Sequence, residues 1–279
     1  ITTFLTSYRY QTQRIDNGFQ INALMNEIGY TFRPSNSERW YWSLPRKYTG
    51  NQVKSYGGKL EFTQRYTQRP QAVYVPDQDI IIIGNRVTIY WSNPQGLNPD
   101  QINVSMTNSG NRFVLMLKKK LQKISVVLSP SANWQRIDGN QGPRPATRED
   151  IMTVLAHIDV ILIRAQQSSD TESAYISDVT LDTAIEQNTL TPQPPTTEVE
   201  VCRCPPGYRG SSCESCAAGY YRDTNDYSTG PLGSCSRCPC NSREQSCSLG
   251  PDNRVSCTCL PNYAGRQCEY GEYFNLQIL

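Results

Sequence analysis

Hydrophobic and polar residues alternate along much of the segment 59–129, and a period of two is typical of β-strands with one buried face. Leu60 and Phe62 alternate with polar neighbours, and so do Val87 and Ile89. Turn signals rich in glycine, asparagine and proline separate such stretches. Further strands are predicted at residues 72–75, 80–83, 102–106, 113–117, 124–128, 160–163 and 176–184. Many short strands with frequent turns favour a mainly β fold, a two-sheet β-sandwich or jelly roll.

One segment departs from this pattern. Thr147 can cap the first turn of a helix, and Glu149 and Asp150 carry the negative charge that is favoured at a helix N-terminus. The apolar residues that follow at helical spacing are Ile151, Val154, Leu155 and Ile158. We therefore predict a single short helix inside the β domain.

Cysteine is distributed unevenly, since all eleven cysteines lie between Cys202 and Cys268. A long segment without cysteine must be held by its own buried core, whereas a short cysteine-dense segment uses disulfides in place of a core. Residues rich in proline and threonine separate the two parts and predict an extended linker. The predicted domains are the β-sandwich at 1–188, the linker at 189–200, and cysteine-rich segments at 201–237 and 238–279.

Charge and hydropathy limit the classes of partner. The chain has 27 lysines and arginines against 25 acidic residues, a balance that argues against nucleic acid as the partner. The strongest apolar run, at 80–83, stops at Gly84, so we predict no insertion into a membrane. The cysteine density requires an oxidising compartment. Because the first residues lack a signal-peptide pattern, we interpret the chain as a piece of a longer secreted protein.

The cysteines follow a repeated unit, which consists of Cys-x-Cys, a Pro-x-Tyr turn, a glycine and a third cysteine. The unit begins at Cys202 and again at Cys257. Zinc ligation is an alternative interpretation, but only the pairs at 213–216 and 235–238 have Cys-x-x-Cys spacing, and no histidine lies near them. Disulfide bonds are the better interpretation of this pattern.

The cysteine spacing resembles that of laminin-type EGF-like modules, and the first part of the chain resembles the laminin IV domain. The second resemblance rests on YWSLPRKYTGNQVKSYGGKL at 41–60, RPATREDI at 144–151 and DVILIRA at 159–165. The last two stretches, together with CRCPPGYRG at 202–210, are more similar to basement-membrane heparan sulphate proteoglycans than to laminin chains. The combined resemblance covers nearly the whole chain.

This resemblance implies a disulfide pairing. Family modules carry eight cysteines, paired first to third, second to fourth, fifth to sixth and seventh to eighth, and this chain matches the last five of one module and the first six of the next. The implied bridges are Cys204 to Cys213, Cys216 to Cys235, Cys238 to Cys247, Cys240 to Cys257, and Cys259 to Cys268. Cys202 is left unpaired, because in the family its partner lies upstream of the inserted laminin IV domain.

The end of the chain departs from the family pattern. Gly271 stands where a seventh cysteine would follow Cys268 by three positions, and residues 272–279 do not resemble the rest of a module. Either the last module is atypical or its C-terminal residues are foreign to it.

The resemblance implies a non-enzymatic structural module of a secreted basement-membrane protein that contributes to matrix assembly and cell adhesion. Its expected partners are extracellular-matrix proteins or cell-surface receptors, and no metal or cofactor is expected. The sequence also contains no recognisable catalytic motif. Its single histidine, His157, lies in the predicted helix, where a capping or partly buried role is the simpler interpretation. Asp178 and Asp182 could share one strand face as a carboxylate pair, but acidic residues on a surface strand explain them more simply.

Two binding hypotheses remain open at this stage. The densest basic cluster consists of Lys118, Lys119, Lys120 and Lys123, and it could contact heparin or another sulphated glycan, although a solvated hairpin end is the simpler interpretation. A lectin-like site is the second hypothesis, suggested by Trp40, Tyr41, Trp42, Trp91 and Trp134, which fit a buried core better.

Two surface features complete the candidates. The one N-glycosylation sequon begins at Asn103, at the start of a predicted strand. Asp77 and Asp79 lie close enough in sequence to suggest a structural calcium ion, which we do not favour.

Overall fold

The computed structural model describes residues 4–7, 14–34, 39–96, 103–109, 112–118, 122–137, 142–185, 197, 199 and 201–271. At 4–7, 14, 103–109 and 112–118 the description covers the backbone alone. The chain folds into two compact units, Ile1–Pro194 and Pro195–Leu279. The boundary between the units falls inside the segment that is rich in proline and threonine.

The first unit is built on two large antiparallel sheets. In spatial order the larger one has β13 (Pro143–Pro145), β12 (Gln135–Ile137), β8 (Val87–Trp91), β7 (Ile80–Gly84), β14 (Ile158–Arg164), β5 (Trp40–Ser43), β1 (Phe4–Ser7) and β2 (Arg14–Ile15). The smaller one has β11 (Gln122–Val127), β6 (Lys59–Gln68), β15 (Thr171–Leu181), β4 (Glu27–Thr31) and β3 (Gln20–Asn22). The chain crosses repeatedly between the two sheets, for example from β5 to β6 and from β6 to β7, as in a jelly roll, so the predicted fold class is confirmed.

The core lies between the two sheets, because alternate residues of each strand point inward. Leu60, Phe62 and Tyr66 of β6 are buried against Ile80 and Ile82 of β7. Strand β5, which β14 separates from β7 in the larger sheet, is buried at all four positions. A further hairpin, formed by β9 (Asn103–Ser109) and β10 (Arg112–Lys118), is a separate two-stranded sheet.

The helix α1 (Arg148–Ala156) forms where Thr147 and the acidic residues predict it. The Thr147 hydroxyl accepts a hydrogen bond from the Asp150 backbone N–H, and the Asp150 carboxylate accepts one from the Thr147 N–H, which completes a capping box. Short 3-10 helices occupy Arg46–Tyr48, Val53–Ser55 and Pro130–Ala132. Buried Ile151, Val154 and Leu155 attach the helix to the core.

One predicted strand is wrong. Residues 72–75 form an irregular segment that makes a single bridge, between Tyr74 and Ser168. Pro70 and Pro76 flank it, and proline removes a backbone donor that a sheet ladder needs.

The second unit is built from two-stranded hairpins. Its strands are β16 (Tyr208–Arg209), β17 (Ser215–Cys216), β18 (Tyr220–Asp223), β19 (Ser234–Arg237), β20 (Glu244–Leu249), β21 (Val255–Cys259), β22 (Tyr263–Ala264) and β23 (Tyr270–Gly271), paired in that order. Half-buried cystines replace the large apolar core of the first unit, since only Cys238, Cys240 and Cys268 form a buried cluster among its described residues.

Candidate functional site

Five disulfides hold the second unit together. They join Cys204 to Cys213, Cys216 to Cys235, Cys238 to Cys247, Cys240 to Cys257, and Cys259 to Cys268. These are the same pairs that the family resemblance implies. Every cysteine from 204 onward is therefore occupied by a covalent partner, which leaves no thiolate for the zinc alternative at the Cys-x-x-Cys pairs.

Cys202 is the free cysteine of the described residues, and it is exposed. The internal repeat shows which position it occupies. Cys202 lies two residues before Cys204 just as Cys257 lies two before Cys259, and each of the following cysteines is bonded to the cysteine nine positions later. Since Cys257 is bonded to Cys240, on its N-terminal side, Cys202 occupies a position that is paired in the second repeat.

The same repeat explains Gly271. Tyr208 pairs with Cys216 in the β16–β17 hairpin, and Tyr263 pairs with Gly271 in the β22–β23 hairpin. Gly271 therefore takes the register position of a bonded cysteine, as the spacing predicts.

The same turn geometry occurs in both copies of this repeat. Gly210 and Gly265 both have φ near +104°, a conformation that favours glycine. In each case the side chain of a glutamate four residues later packs against the turn. The Glu214 carboxylate accepts a hydrogen bond from the Ser212 backbone N–H, and the Glu269 carboxylate accepts one from the Gln267 backbone N–H. Hydrogen bonds from backbone N–H groups lower the pKa of the Glu269 carboxyl.

A buried ion pair lies at one end of the larger sheet. Arg164 and Asp79 are almost fully buried, and their side chains approach to 2.9 Å. The guanidinium also donates to the Val75 carbonyl at 2.6 Å and to the Gln167 side chain at 2.5 Å. Burial raises the pKa of Asp79, and the charge of Arg164 opposes that rise.

The calcium alternative finds no support in this arrangement. Asp79 faces Arg164, and the neighbouring Asp77 forms an ion pair with Arg39. Both carboxylates are thus neutralised by arginine side chains, which occupy the position that a cation would need.

A second buried ion pair lies on the outward face of the smaller sheet. Glu27 of β4 and Arg65 of β6 form the pair, and their side chains are 3% and 4% exposed. The ring of Tyr175, on the strand between them, lies 3.6 Å from the guanidinium carbon of Arg65. The Tyr175 hydroxyl donates to the Gln20 side-chain oxygen at 3.1 Å. Sequence reasoning did not identify this group, and Gly29 inside β4 is the one signal that could have pointed to it.

The aromatic residues proposed for a lectin-like site are core residues instead. Trp40, Tyr41, Trp42 and Trp134 are at most 5% exposed, and Trp91 packs against the core from its edge. The rings of these four buried residues are therefore not available to stack on a sugar, and the preferred interpretation of the aromatics as core agrees with the structure.

The proposed heparin-binding lysines are only partly described. Lys118 ends β10, Lys119 and Lys120 lie outside the described residues, and Lys123 on β11 forms an exposed ion pair with Glu61 at 2.8 Å. Asn103 begins β9, where its backbone pairs with Lys118. Heparin contact and glycosylation both stay predictions.

The candidates for catalysis are dispersed. His157 is the C-cap residue of α1, and its side chain is 64% exposed. Asp178 accepts from the Ser177 hydroxyl at a bulge of β15, whereas the Asp182 carboxylate accepts from the Lys59 backbone N–H. These contacts account for both carboxylates without a catalytic role. In the described part of the chain, no helix is long and apolar enough to cross a membrane.

Comparison with known proteins places these features in a family. Residues 41–200 match the family model "Laminin B (Domain IV)", and residues 193–235 and 238–273 match "Laminin EGF domain". A mouse basement membrane-specific heparan sulfate proteoglycan core protein is 36% identical over 83% of this chain and 5% of its own length. A Caenorhabditis elegans basement membrane proteoglycan is 32% identical over 86% of this chain and 6% of its own length.

Laminin chains also match. A Drosophila melanogaster laminin subunit alpha is 32% identical over 81% of this chain and 6% of its own length. The solved L4b domain of human laminin alpha-2 has a TM-score of 0.47 and 20% identity, covering 65% of this chain and 91% of that one. The chain thus spans about one twentieth of the length of the curated relatives it matches.

The order of the matches agrees with the predicted similarity to perlecan, the basement-membrane heparan sulphate proteoglycan, with laminin alpha chains next. The jelly-roll sandwich followed by cystine-rich hairpins corresponds in sequence order to the two family models. This chain belongs to the laminin IV domain family, with laminin-type EGF-like modules following the domain, and its relatives are secreted basement-membrane proteins.

Proposed function

We propose that the chain is a non-enzymatic structural element of the extracellular matrix, in which the sandwich is inserted into an EGF-like module and the cystine-rich unit acts as a stiff spacer. The observation that carries the proposal is the unpaired Cys202 at a repeat position whose counterpart, Cys257, is bonded. Such an odd cysteine is expected where a globular domain separates the two halves of one module. In the full protein Cys202 then bonds to a cysteine on the N-terminal side of the sandwich.

This chain allows a direct test of the proposed interruption. Alkylation under non-reducing conditions should label one thiol, and peptide mapping should locate the label at Cys202. A longer chain that includes the preceding cysteines should lose this label and gain a disulfide at Cys202. A bridge from Cys202 to another cysteine of the present chain would contradict the proposed pairing.

The proposed partners are extracellular-matrix proteins or cell-surface receptors, and the proposed role is in matrix assembly and cell adhesion. The names of the relatives support this role, since they describe basement-membrane proteoglycans and laminin subunits. Immobilised chain should support cell attachment and should capture protein from a matrix extract. A reduced and alkylated sample is the matched control, because it has the same sequence without the disulfides.

The same assay separates protein partners from sulphated glycans. Capture that survives digestion of heparan sulphate supports protein partners, whereas capture that digestion removes supports the basic cluster of Lys118, Lys119, Lys120 and Lys123. Replacing these four lysines by glutamine should then shorten retention on a heparin column. Unchanged retention would exclude the cluster as a heparin site.

A further inference from the structure

The outward face of the smaller sheet has one row of four residues in register across four strands. Gln20 of β3 pairs with Gly29 of β4, Gly29 pairs with Tyr175 of β15, and Tyr175 pairs with Arg65 of β6. A Cβ atom at Gly29 would overlap the ring of Tyr175, so the ring lies directly against the bare backbone of β4. The row therefore positions one aromatic ring at the centre of a sheet face.

Two further contacts fix the ring. The guanidinium of Arg65 lies against it, and the Tyr175 hydroxyl is hydrogen-bonded to Gln20. Arg65 is held in turn by Glu27, through hydrogen bonds from Nε to both carboxylate oxygens at 3.2 and 3.1 Å. The ring stays partly exposed, while the ion pair that supports it is buried. An aromatic surface held in this way requires little ordering when a ligand binds.

Hydroxyl and amide groups surround the ring. Gln20 donates to the Thr31 hydroxyl at 3.0 Å on one side. On the other side the hydroxyls of Thr67 and Ser173 are 2.7 Å apart, and Thr67 also donates to the Glu172 carboxylate at 3.3 Å. These groups offer both donors and acceptors on the strands beside the ring.

The charges of this face select against an anionic ligand. Arg65 is neutralised by Glu27, and Glu172 contributes an exposed carboxylate. A sulphated or uronic-acid glycan would therefore meet a carboxylate beside the ring. Among the described residues of this face, Arg65 is already paired with Glu27, and Lys123, one strand beyond β6, is paired with Glu61. An uncharged ligand with many hydroxyls fits both the ring and the polar groups beside it.

We propose that the outward face centred on Tyr175 binds a neutral oligosaccharide, with the apolar face of one sugar ring against Tyr175 and the sugar hydroxyls bonded to Gln20, Thr31 and Thr67. The residues of this site do not include the four lysines of the basic cluster, and the site is separate from the proposed structural role of the cystine-rich unit. Its ligand class is defined by chemistry: uncharged hexose or N-acetylhexosamine oligosaccharides.

Titration calorimetry of this chain against neutral oligosaccharides of two to six sugars, and against sulphated counterparts, tests the proposal. We expect saturable binding of a neutral compound that changes little with salt concentration. Tyr175→Leu should weaken it by about tenfold or more, whereas Tyr175→Phe should stay within about threefold because it keeps the ring. Gln20→Ala should also weaken binding, and because Gln20 is exposed, this variant keeps the test valid if Tyr175→Leu fails to fold.

Tyr90→Leu is the matched control, since Tyr90 is a partly buried tyrosine of the larger sheet and should leave binding unchanged. The proposal is overturned if no neutral oligosaccharide binds saturably, or if folded Tyr175→Leu or Gln20→Ala binds as tightly as the unmodified chain. Binding restricted to sulphated compounds and lost in salt would also overturn it, and would support the basic cluster instead.

Discussion

At the scale of single residues, Asp150 connects three elements of the sandwich. Its carboxylate completes the capping box of α1 and accepts hydrogen bonds from Arg136 of β12 and Arg144 of β13. Burial raises the pKa of Asp150, but the hydrogen bonds from Arg144, Thr147 and Arg136 outweigh burial and hold the pKa well below its ordinary value. The folded protein therefore keeps this side chain ionised in mild acid.

Asp150→Asn should lower the free energy of unfolding by about 2–4 kcal/mol at pH 7, because it removes charge-assisted hydrogen bonds and part of the cap. Since the folded pKa is depressed, the contribution of Asp150 is present above the ordinary pKa of about 4 and is lost as the pH falls through the folded value. Urea titrations from pH 7 to pH 3 should show a smaller acid dependence in the variant.

The control for this prediction is Asp159→Asn. Asp159 is exposed and lies 3.7 Å from His157, so its replacement should change the stability by no more than about 0.5 kcal/mol. An Asp150→Asn variant as stable as this control would contradict the role assigned to the cluster.

The buried pair of Arg164 and Asp79 gives a second prediction at this scale. Arg164→Met should destabilise the sandwich by about 3–5 kcal/mol, since it leaves the Asp79 carboxylate buried without its cation. The double variant Arg164→Met with Asp79→Leu should recover part of the loss, as chemical denaturation can measure. Equal destabilisation by the single and double variants would show that packing, and not the uncompensated charge, dominates.

At the scale of elements, α1 approaches β7 so closely that one position excludes any side chain. A Cβ atom at Gly84 would overlap the carbonyl oxygens of His157 and Val154 at the end of the helix. These are backbone atoms, so relief would require the helix to move away from the sheet. The strand-to-helix packing thus depends on this glycine, where the sequence pattern indicates only the end of a strand.

Gly84→Ala should therefore lower the free energy of unfolding by about 1–3 kcal/mol, as expected for overpacking. The matched control is Gly271→Ala, because a Cβ there would lie 3.8 Å from the Tyr263 ring, an ordinary contact. Thermal unfolding of both variants measures the difference. A Gly84→Ala variant that unfolds together with the control would show that the helix shifts without strain.

The alternation of hydrophobic and polar residues predicted strands, and the N-cap pattern predicted the helix, wherever the local sequence reflects which side of the element is buried. Strands β6 and β8 alternate because one face meets the core, β7 is a short apolar run that is buried on both faces, and α1 begins at a side chain able to cap it. The segment 72–75 has strand-like residues but covers a buried charge instead, since Arg164 binds the Val75 carbonyl and the Tyr74 hydroxyl. No local pattern reveals a partner that lies about ninety residues away.

At the scale of the whole molecule, the sequence was most informative where covalent chemistry determines the structure. The resemblance of the cysteine spacing to laminin-type EGF-like modules implied five bridges and an unpaired Cys202, and the structure has the same pairs. The face centred on Tyr175 could not be predicted in this way, because Glu27, Arg65 and Tyr175 meet only after three distant strands pair. Contacts between strands depend on the pairing register. That register is set by how the apolar residues of all strands pack in the core, and a short stretch of sequence does not reveal it.

The two units should respond differently to reduction. The sandwich contains no cysteine and has a continuous apolar core, whereas the cystine-rich unit relies on five disulfides, each contributing about 2–4 kcal/mol. All four tryptophans belong to the sandwich, so tryptophan fluorescence reports on that unit alone. We expect urea unfolding followed by tryptophan fluorescence to have the same midpoint with and without dithiothreitol.

Limited proteolysis should give the opposite result for the cystine-rich unit. In reductant the region 201–271 should be cleaved rapidly while the sandwich remains intact, because a chain with few buried apolar residues cannot stay folded without its disulfides. A fall in the tryptophan midpoint on reduction would show that the disulfides also stabilise the sandwich. Equal midpoints with selective cleavage would establish that each unit is stabilised by its own means: an apolar core in one and covalent bonds in the other.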